Sequence, residues 1–183
     1  MSDTLSKALV LTILRHAEDF PWRMQDIGLM GLRLDDRREY RLHVWDPSHC
    51  VEEPPVHDHP YGFTSTVIAG ELTNVRYEED PAGDEYVRIR YPPGAEGERR
   101  SDAVRLSSTA TTFAEGGRYR QLAHELHASR QRPGTVTALR CLWVEAPELT
   151  VCVRDQGSWR SGQARDATPE EIKGFAAKAL EWF

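Results

Sequence analysis

Nothing constrains the fold of this chain more than the stretch from Arg33 to about Val153, where short runs of β-branched and aromatic residues alternate with turn chemistry. The breaks are Asp46-Pro47, Pro54-Pro55, Ala69-Gly70, Pro81-Ala82-Gly83, Pro92-Pro93-Gly94, Gly116-Gly117 and Pro133-Gly134. Proline withholds a ladder donor and glycine permits the backbone of a tight turn. The runs between them read as strands near Arg38–Trp45, Phe63–Ala69, Glu71–Glu78, Glu85–Tyr91, Val104–Ser108, Thr111–Phe113, Gln121–Ser129, Thr135–Glu145 and Thr150–Arg154. Many short strands so punctuated predict a mainly β barrel or sandwich. Residues 92–102 (PPGAEGERRSD) read as a loop.

Helical signals are confined to the two ends. Ser2 or Asp3 can cap a first helix carrying Leu5, Ala8, Leu9, Thr12 and Ile13 at helical spacing, and Pro21 should end it by Phe20. Residues 22–39 are mixed, with a short helix or turn expected near Trp22–Ile27. At the other end Thr168 caps, Pro169 opens and Glu171 completes a capping box. Ile172, Phe175, Ala176, Ala179, Leu180 and Phe183 then form one apolar stripe, suited to the outside of the barrel or to a second subunit, so a homodimer stays open. The expected organisation is a single domain over 1–183: a helical segment over 1–32, the β-barrel over 33–155 and an extension over 156–183 that holds the second helix.

A chain of 183 residues buries roughly 70% of its unfolded surface and needs no disulfide to hold a core. A net charge of −6 argues against nucleic acid, whose phosphates call for a basic face. No apolar run approaches the roughly 20 residues of a membrane span, and Ala8–Leu14 is too short for a secretory signal. Three cysteines, Cys50, Cys141 and Cys152, have no metal-type spacing and fit a reduced, cytoplasmic protein.

The chemistry must therefore come from a site, and the histidines are the candidates. In His57-Asp58-His59, residues two apart on an extended strand project their imidazoles to one face, where both can reach one metal ion. The run HDHPYGFTSTVIAGEL from His57 resembles the first motif of the cupin superfamily, an H-x-H followed by a strand that ends in Gly. The family's glutamate ligand would fall on Phe63 or Thr64 and is missing, which points to an all-histidine site. The resemblance implies a third histidine downstream. His127 is favoured over His124, since the two have opposite parity and His127 opens a strand that returns through Pro133-Gly134. The implied fold is the cupin double-stranded β-helix, a jelly-roll barrel, with a metal on His57, His59 and His127.

Within that superfamily the chain resembles thiol dioxygenases of the cysteine dioxygenase type, which hold Fe(II) on three histidines. Arg41-Leu42-His43-Val44-Trp45, His57-Asp58-His59 and Leu126-His127 followed by Glu145-Ala146-Pro147 carry the likeness. It implies an arginine for the substrate carboxylate, with Arg33 the nearest counterpart and Arg41 its rival. The family's Ser-x-His-x-Tyr triad is absent, because Thr135–Val144 reads TVTALRCLWV. Strand parity adds Tyr61, Phe63, Ser65, Val67, Asn74, Arg76, Arg140 and Trp143 as cavity candidates, with His43 in the core or behind the ligands. The implied activity is an Fe(II)-dependent dioxygenase acting with O2 on a small thiol- or carboxylate-bearing molecule. Arg33, Arg41, Arg76, Arg140 and Tyr61 are then the substrate-side residues, and Ni, Mn or Zn are alternative ions. A non-oxidative metal-dependent lyase or isomerase, and a binding module without catalysis, are the competing readings.

Overall fold

Alternation along the strands decides which face meets which layer. In β3 (Tyr40–Cys50) Leu42 and Val44 are fully buried on one face, while Arg41, His43 and Trp45 project from the other. In β10 (Thr135–Leu142), paired to β3 with Thr137 opposite His43, Val136 and Ala138 share the first face and Thr137 and Leu139 the second. The first face packs under helices and the second faces a cavity.

The computed structural model describes residues 5–35, 39–50, 55–91, 100–142, 149–154 and 164–183. The remaining strands are β1 (Arg23–Gln25), β2 (Ile27–Arg33), β4 (Val56–His57), β5 (Gly62–Ala69), β6 (Glu71–Tyr91), β7 (Arg100–Ala114), β8 (Arg118–Gln121), β9 (Leu126–Gln131), β11 (Leu149–Val153) and β12 (Arg165–Asp166). They form a seven-stranded antiparallel sheet, β12-β1-β2-β3-β10-β5-β8, and a five-stranded one, β11-β4-β9-β6-β7, with β11 also pairing β6. The mainly β expectation stands, as a two-sheet sandwich consistent with a jelly roll. Gly70 makes the β5–β6 turn at φ +80°, where a Cβ would come within 2.7 Å of Thr135 Oγ1. That approach lets Thr135 donate to Glu71 O at 2.9 Å and accept from Glu71 N at 3.2 Å.

Helix α1 (Lys7–Arg15) is capped by Ser6, whose side chain accepts from Leu9 N, and is followed by a 3-10 turn at Ala17–Asp19. The expected caps Ser2 and Asp3 lie outside the described residues, and the helix itself stops short of Phe20. Helix α2 (Pro169–Leu180) has the expected capping box and Pro at its start. Its stripe packs on α1, the 3-10 turn and β3, in one cluster with Trp22, Leu42, Val44 and Val136. Among the described residues no helix is long and apolar enough to cross a membrane. Cys50, Cys141 and Cys152 are free thiols.

Several expectations need correction. Asp46-Pro47 does not break a strand, because β3 runs through it to Cys50, and residues 100–102 belong to β7 rather than to a loop. Residues 23–33 are not a helix or turn but the β1–β2 hairpin at the edge of the larger sheet, so the helical segment ends at Asp19 and the sheet begins well before Arg33. Pro81-Ala82-Gly83 is not a break between strands: β6 runs through it, and Glu79 and Asp84 both pair with Leu106, so the intervening residues bulge out of a continuous ladder. Likewise Val104–Ser108 and Thr111–Phe113 are parts of the single strand β7. Gln121–Ser129 is two strands rather than one, because the chain turns at Leu122–Glu125, with His124 at φ +67°, and crosses between sheets. Trp143, Glu145, Ala146 and Pro147 lie outside the described residues.

Candidate metal centre

The three histidines named from sequence converge. β4 and β9 are antiparallel neighbours with His57 directly opposite His127, so both rings rise from the same face. His59 follows β4 by two residues and closes the triangle. Ring centroids are 4.8 Å apart for His57–His59, 4.9 Å for His57–His127 and 5.1 Å for His59–His127. One ring nitrogen from each lies within 4.8 Å of the others.

The intervening aspartate explains why the pair is presented this way. Asp58 is 2% exposed, gives its N–H to Thr150 O at 3.0 Å and accepts from Thr150 N at 2.7 Å. It faces β11 and pins the segment there, which turns its two neighbours toward the cavity. His124 N donates to His59 O at 3.3 Å, and His124 Nδ1 lies 3.7 Å from Asp58 Oδ2. His124 therefore braces the turn before β9 and stays outside the cluster.

Hydrogen bonds orient two of the rings. His57 Nδ1 is 3.0 Å from Pro55 O, and His127 Nδ1 is 2.9 Å from Asn74 Oδ1. Both nitrogens must then carry the proton, leaving each Nε2 as a lone-pair donor. Asn74 is itself held by donating to Gln121 Oε1 at 3.3 Å. His59 Nε2 lies 3.0 Å from His127 Nε2. Two nitrogens each about 2.1 Å from one ion sit roughly 3–3.4 Å apart, so this pair already has the spacing of a shared metal. Three neutral imidazoles with no carboxylate are a donor set for Fe, Ni, Cu or Zn, and the residues fit the ion.

Burial keeps the rings neutral. It lowers the pKa of His57, and it lowers that of His59 well below the ordinary value with help from His57, His127 and Arg41. His127 is brought down to about 3 by burial, then by the charges of His57 and Arg76. His43 is also brought down to about 3, by burial and then by Arg41. In the unfolded chain these groups titrate near 6.5. Between about pH 6.5 and 3 the unfolded state therefore binds more protons, and stability must fall as pH falls, by up to about 1.4 kcal/mol per pH unit per histidine. The Tm of metal-free protein should drop from pH 6.5 to 5, above the range where carboxylates titrate, and His43→Phe should flatten the slope. An unchanged slope in that variant would refute the assignment.

The cluster opens into a cavity of about 360 Å³ between the sheets. Tyr61 and Phe63 line it beside the histidines, with His59 5.3 Å from the Tyr61 ring and 5.2 Å from Phe63. Arg41 lines it too, donating from Nη1 to Tyr61 Oη at 2.6 Å, with its guanidinium carbon 4.8 Å from that ring's centroid. Arg41 Nε is buried with no hydrogen-bond partner among the described residues, and no carboxylate among them pairs with this side chain.

The other substrate-side candidates are placed elsewhere. Arg33 is across from Arg41 in the β2–β3 register but exposed, lining an adjoining recess that shares Arg41 and His43 with the main cavity. Arg76 is opposite His127 in the β6–β9 register, yet it is exposed and reaches away to Arg120 O. Arg140 has the wrong parity: it stands on the face opposite Thr137 and Leu139 and gives Nε to Glu39 at 2.9 Å. Ser65 and Val67 are buried, and Asn74 serves behind His127. Sequence reasoning missed Gln25, Ile27 and Leu29, because the β1–β2 hairpin was not foreseen, and also Trp45, Thr137, Leu139 and Gln131. The period-2 alternation of β3 and β10 was the available signal for Trp45, Thr137 and Leu139. Scans of the chain against protein-family models and curated proteins find no match.

Proposed function

We propose that this chain is a cupin-type metalloenzyme, an Fe(II)-dependent dioxygenase that acts with O2 on a small anionic molecule bearing a thiol or carboxylate. The observation that carries the proposal is the group of three buried imidazoles, two of them oriented by hydrogen bonds, at the wall of a cavity. An ion held by three protein ligands supplies a Lewis-acidic and, as iron, an oxygen-activating centre with coordination positions to spare. Ni, Mn and Zn suit the same donors.

The protein's own residues would do the rest. Asn74 and the Pro55 carbonyl fix the rings of His127 and His57 and keep their Nε2 lone pairs aimed inward. Arg41 brings to the cavity, beside the histidines, a positive charge that no carboxylate among the described residues pairs, so an anionic group is the partner that relieves its partial burial. Tyr61 orients the guanidinium from one side, leaving the buried Nε edge for the substrate. Phe63, Tyr119 and Leu139 surround the reacting region with apolar surface and exclude water.

Elemental analysis of the purified protein, then O2 uptake by Fe(II)-loaded protein supplied anaerobically with a panel of small thiols and carboxylates, tests the reading. Uptake should require both iron and the organic molecule. Arg41→Met should raise KM about ten-fold or more for carboxylate-bearing members. Turnover without O2 would favour a lyase or isomerase, and protein that retains no divalent ion under any loading would end the metalloenzyme reading.

A further inference from the structure

The cavity has a second end that the metal chemistry does not use. Along β9 the residues facing inward are His127, Ser129 and Gln131. The chain then turns through 132–134 into β10, so Gln131 sits by the turn, near Thr135 and its register partner Trp45. The histidines and Arg41 lie toward the Leu139 level, and Arg41 pairs with Leu139 in the same ladder. Arg41 and Trp45 are four steps apart along β3, roughly 13 Å of strand. Between the two levels the wall presents His43 and Thr137, with Leu139 at the Arg41 end and Leu29 and the Trp45 ring at the other.

At the Trp45 end one buried donor has no partner among the described residues. Trp45 gives its indole N–H to Thr137 Oγ1 at 3.1 Å. Gln131 Nε2 is buried, lines the cavity and has no hydrogen-bond partner among the described residues. A buried donor without an acceptor is costly, so it belongs with a group that enters the cavity. The volume, about 360 Å³, lies within the range of sites for whole drug-sized ligands and far exceeds what a three-carbon amino acid fills.

We infer that Gln131 is a specificity residue that donates to a neutral carbonyl-type acceptor at the far end of an elongated substrate whose anionic end is held at Arg41. The substrate class is then a small carboxylate or similar anion with an uncharged middle and a distal amide, ester or ketone oxygen. The inference rests on the proposed metal site only for which end reacts.

The test uses the purified full chain, with metal content measured on every sample. The probes are the N-acetyl ω-amino acids of three to six chain carbons, each compared with the straight-chain carboxylate of equal overall length. Affinity is read by calorimetry and by the fluorescence of Trp45 against the other tryptophans. At one length the acetylated probe should bind about ten-fold tighter than its plain partner. Gln131→Leu should bring the two to parity without changing the plain carboxylate's affinity. Gln131→Glu, an acceptor when ionised, should fail to restore the preference, and melting curves establish that both variants fold. Equal affinities at every length overturn the inference, as does binding by neither series or a preference that survives Gln131→Leu. Protein that retains no divalent ion under any loading, yet shows the Gln131-dependent preference, would sink the metal reading alone.

Discussion

His127→Ala is expected to leave a folded protein that no longer holds its metal ion. The truncation removes one of three donors while its neighbours stay in place, because His57 is fixed by the β4–β9 and β4–β11 ladders and His59 by the pinned Asp58. Replacing an outer partner of a metal ligand costs roughly 10–100-fold in affinity. Losing the ligand itself must cost more, and His57→Ala should match it. Asn74→Ala should fall in the outer-partner range, since it frees the His127 ring without removing it. His124→Ala is the control: that residue is half-exposed, lies outside the cluster and braces the loop through its backbone N–H, which alanine retains. Elemental analysis of the four proteins, with melting curves to show folding, decides the matter. Metal kept by His127→Ala, or lost equally from His124→Ala, would mean that the three imidazoles do not form the site.

The legible part of this site was the part written in strand periodicity. His57 and His59 share a face because they are two apart. His127 opens β9 as expected, but His124 lies in the turn before that strand, so parity, though it favoured the same residue, is not what keeps His124 out. The same rule misplaced Arg140, since whether odd or even residues of β10 face the cavity depends on its register with β3, where Thr137 meets His43. Register is a long-range property that one strand's sequence does not carry. Arg33 against Arg41 turned on a similar matter. Both stand on one face of the β2–β3 pair, but β2 is nearer the sheet edge, so Arg33 reaches a recess while Arg41 meets Tyr61. The β1–β2 hairpin itself was hidden by its brevity and its glycines. Gly28 sits at φ +70° where the β2–β3 register slips, and a Cβ there would meet Asp46 O at 2.4 Å. Glycine-rich edge strands with a slip of this kind lack the alternation by which strands are recognised. Gln131 escaped notice because an amide near a turn reads as surface until the opposite sheet is in view.

Phe175→Ala is expected to cost stability heavily and metal binding not at all. Phe175 is fully buried at the centre of the cluster that joins α2 to α1, Trp22 and the Leu42–Val44 face of β3. Truncating such a ring to alanine costs roughly 3–5 kcal/mol in lost transfer energy and residual cavity. At roughly 2–4 °C of Tm per kcal/mol for a domain of this size, the melting point should fall by roughly 6–20 °C. The metal stoichiometry below the new Tm should be unchanged, because the helices and the histidines occupy opposite sides of the larger sheet. Leu42, Val44, Val136 and Ala138 look toward α2, whereas Arg41, His43, Thr137 and Leu139 look toward the cavity. Phe63→Ala provides the contrast. Its ring touches both His59 and His127 from within the cavity, at 5.2 and 5.8 Å between centroids, so its loss should weaken metal retention at a comparable cost in stability. If Phe175→Ala released the ion as readily as Phe63→Ala while still folded, the two faces of β3 and β10 would be mechanically coupled. The helical layer would then be part of the site rather than the support beneath it.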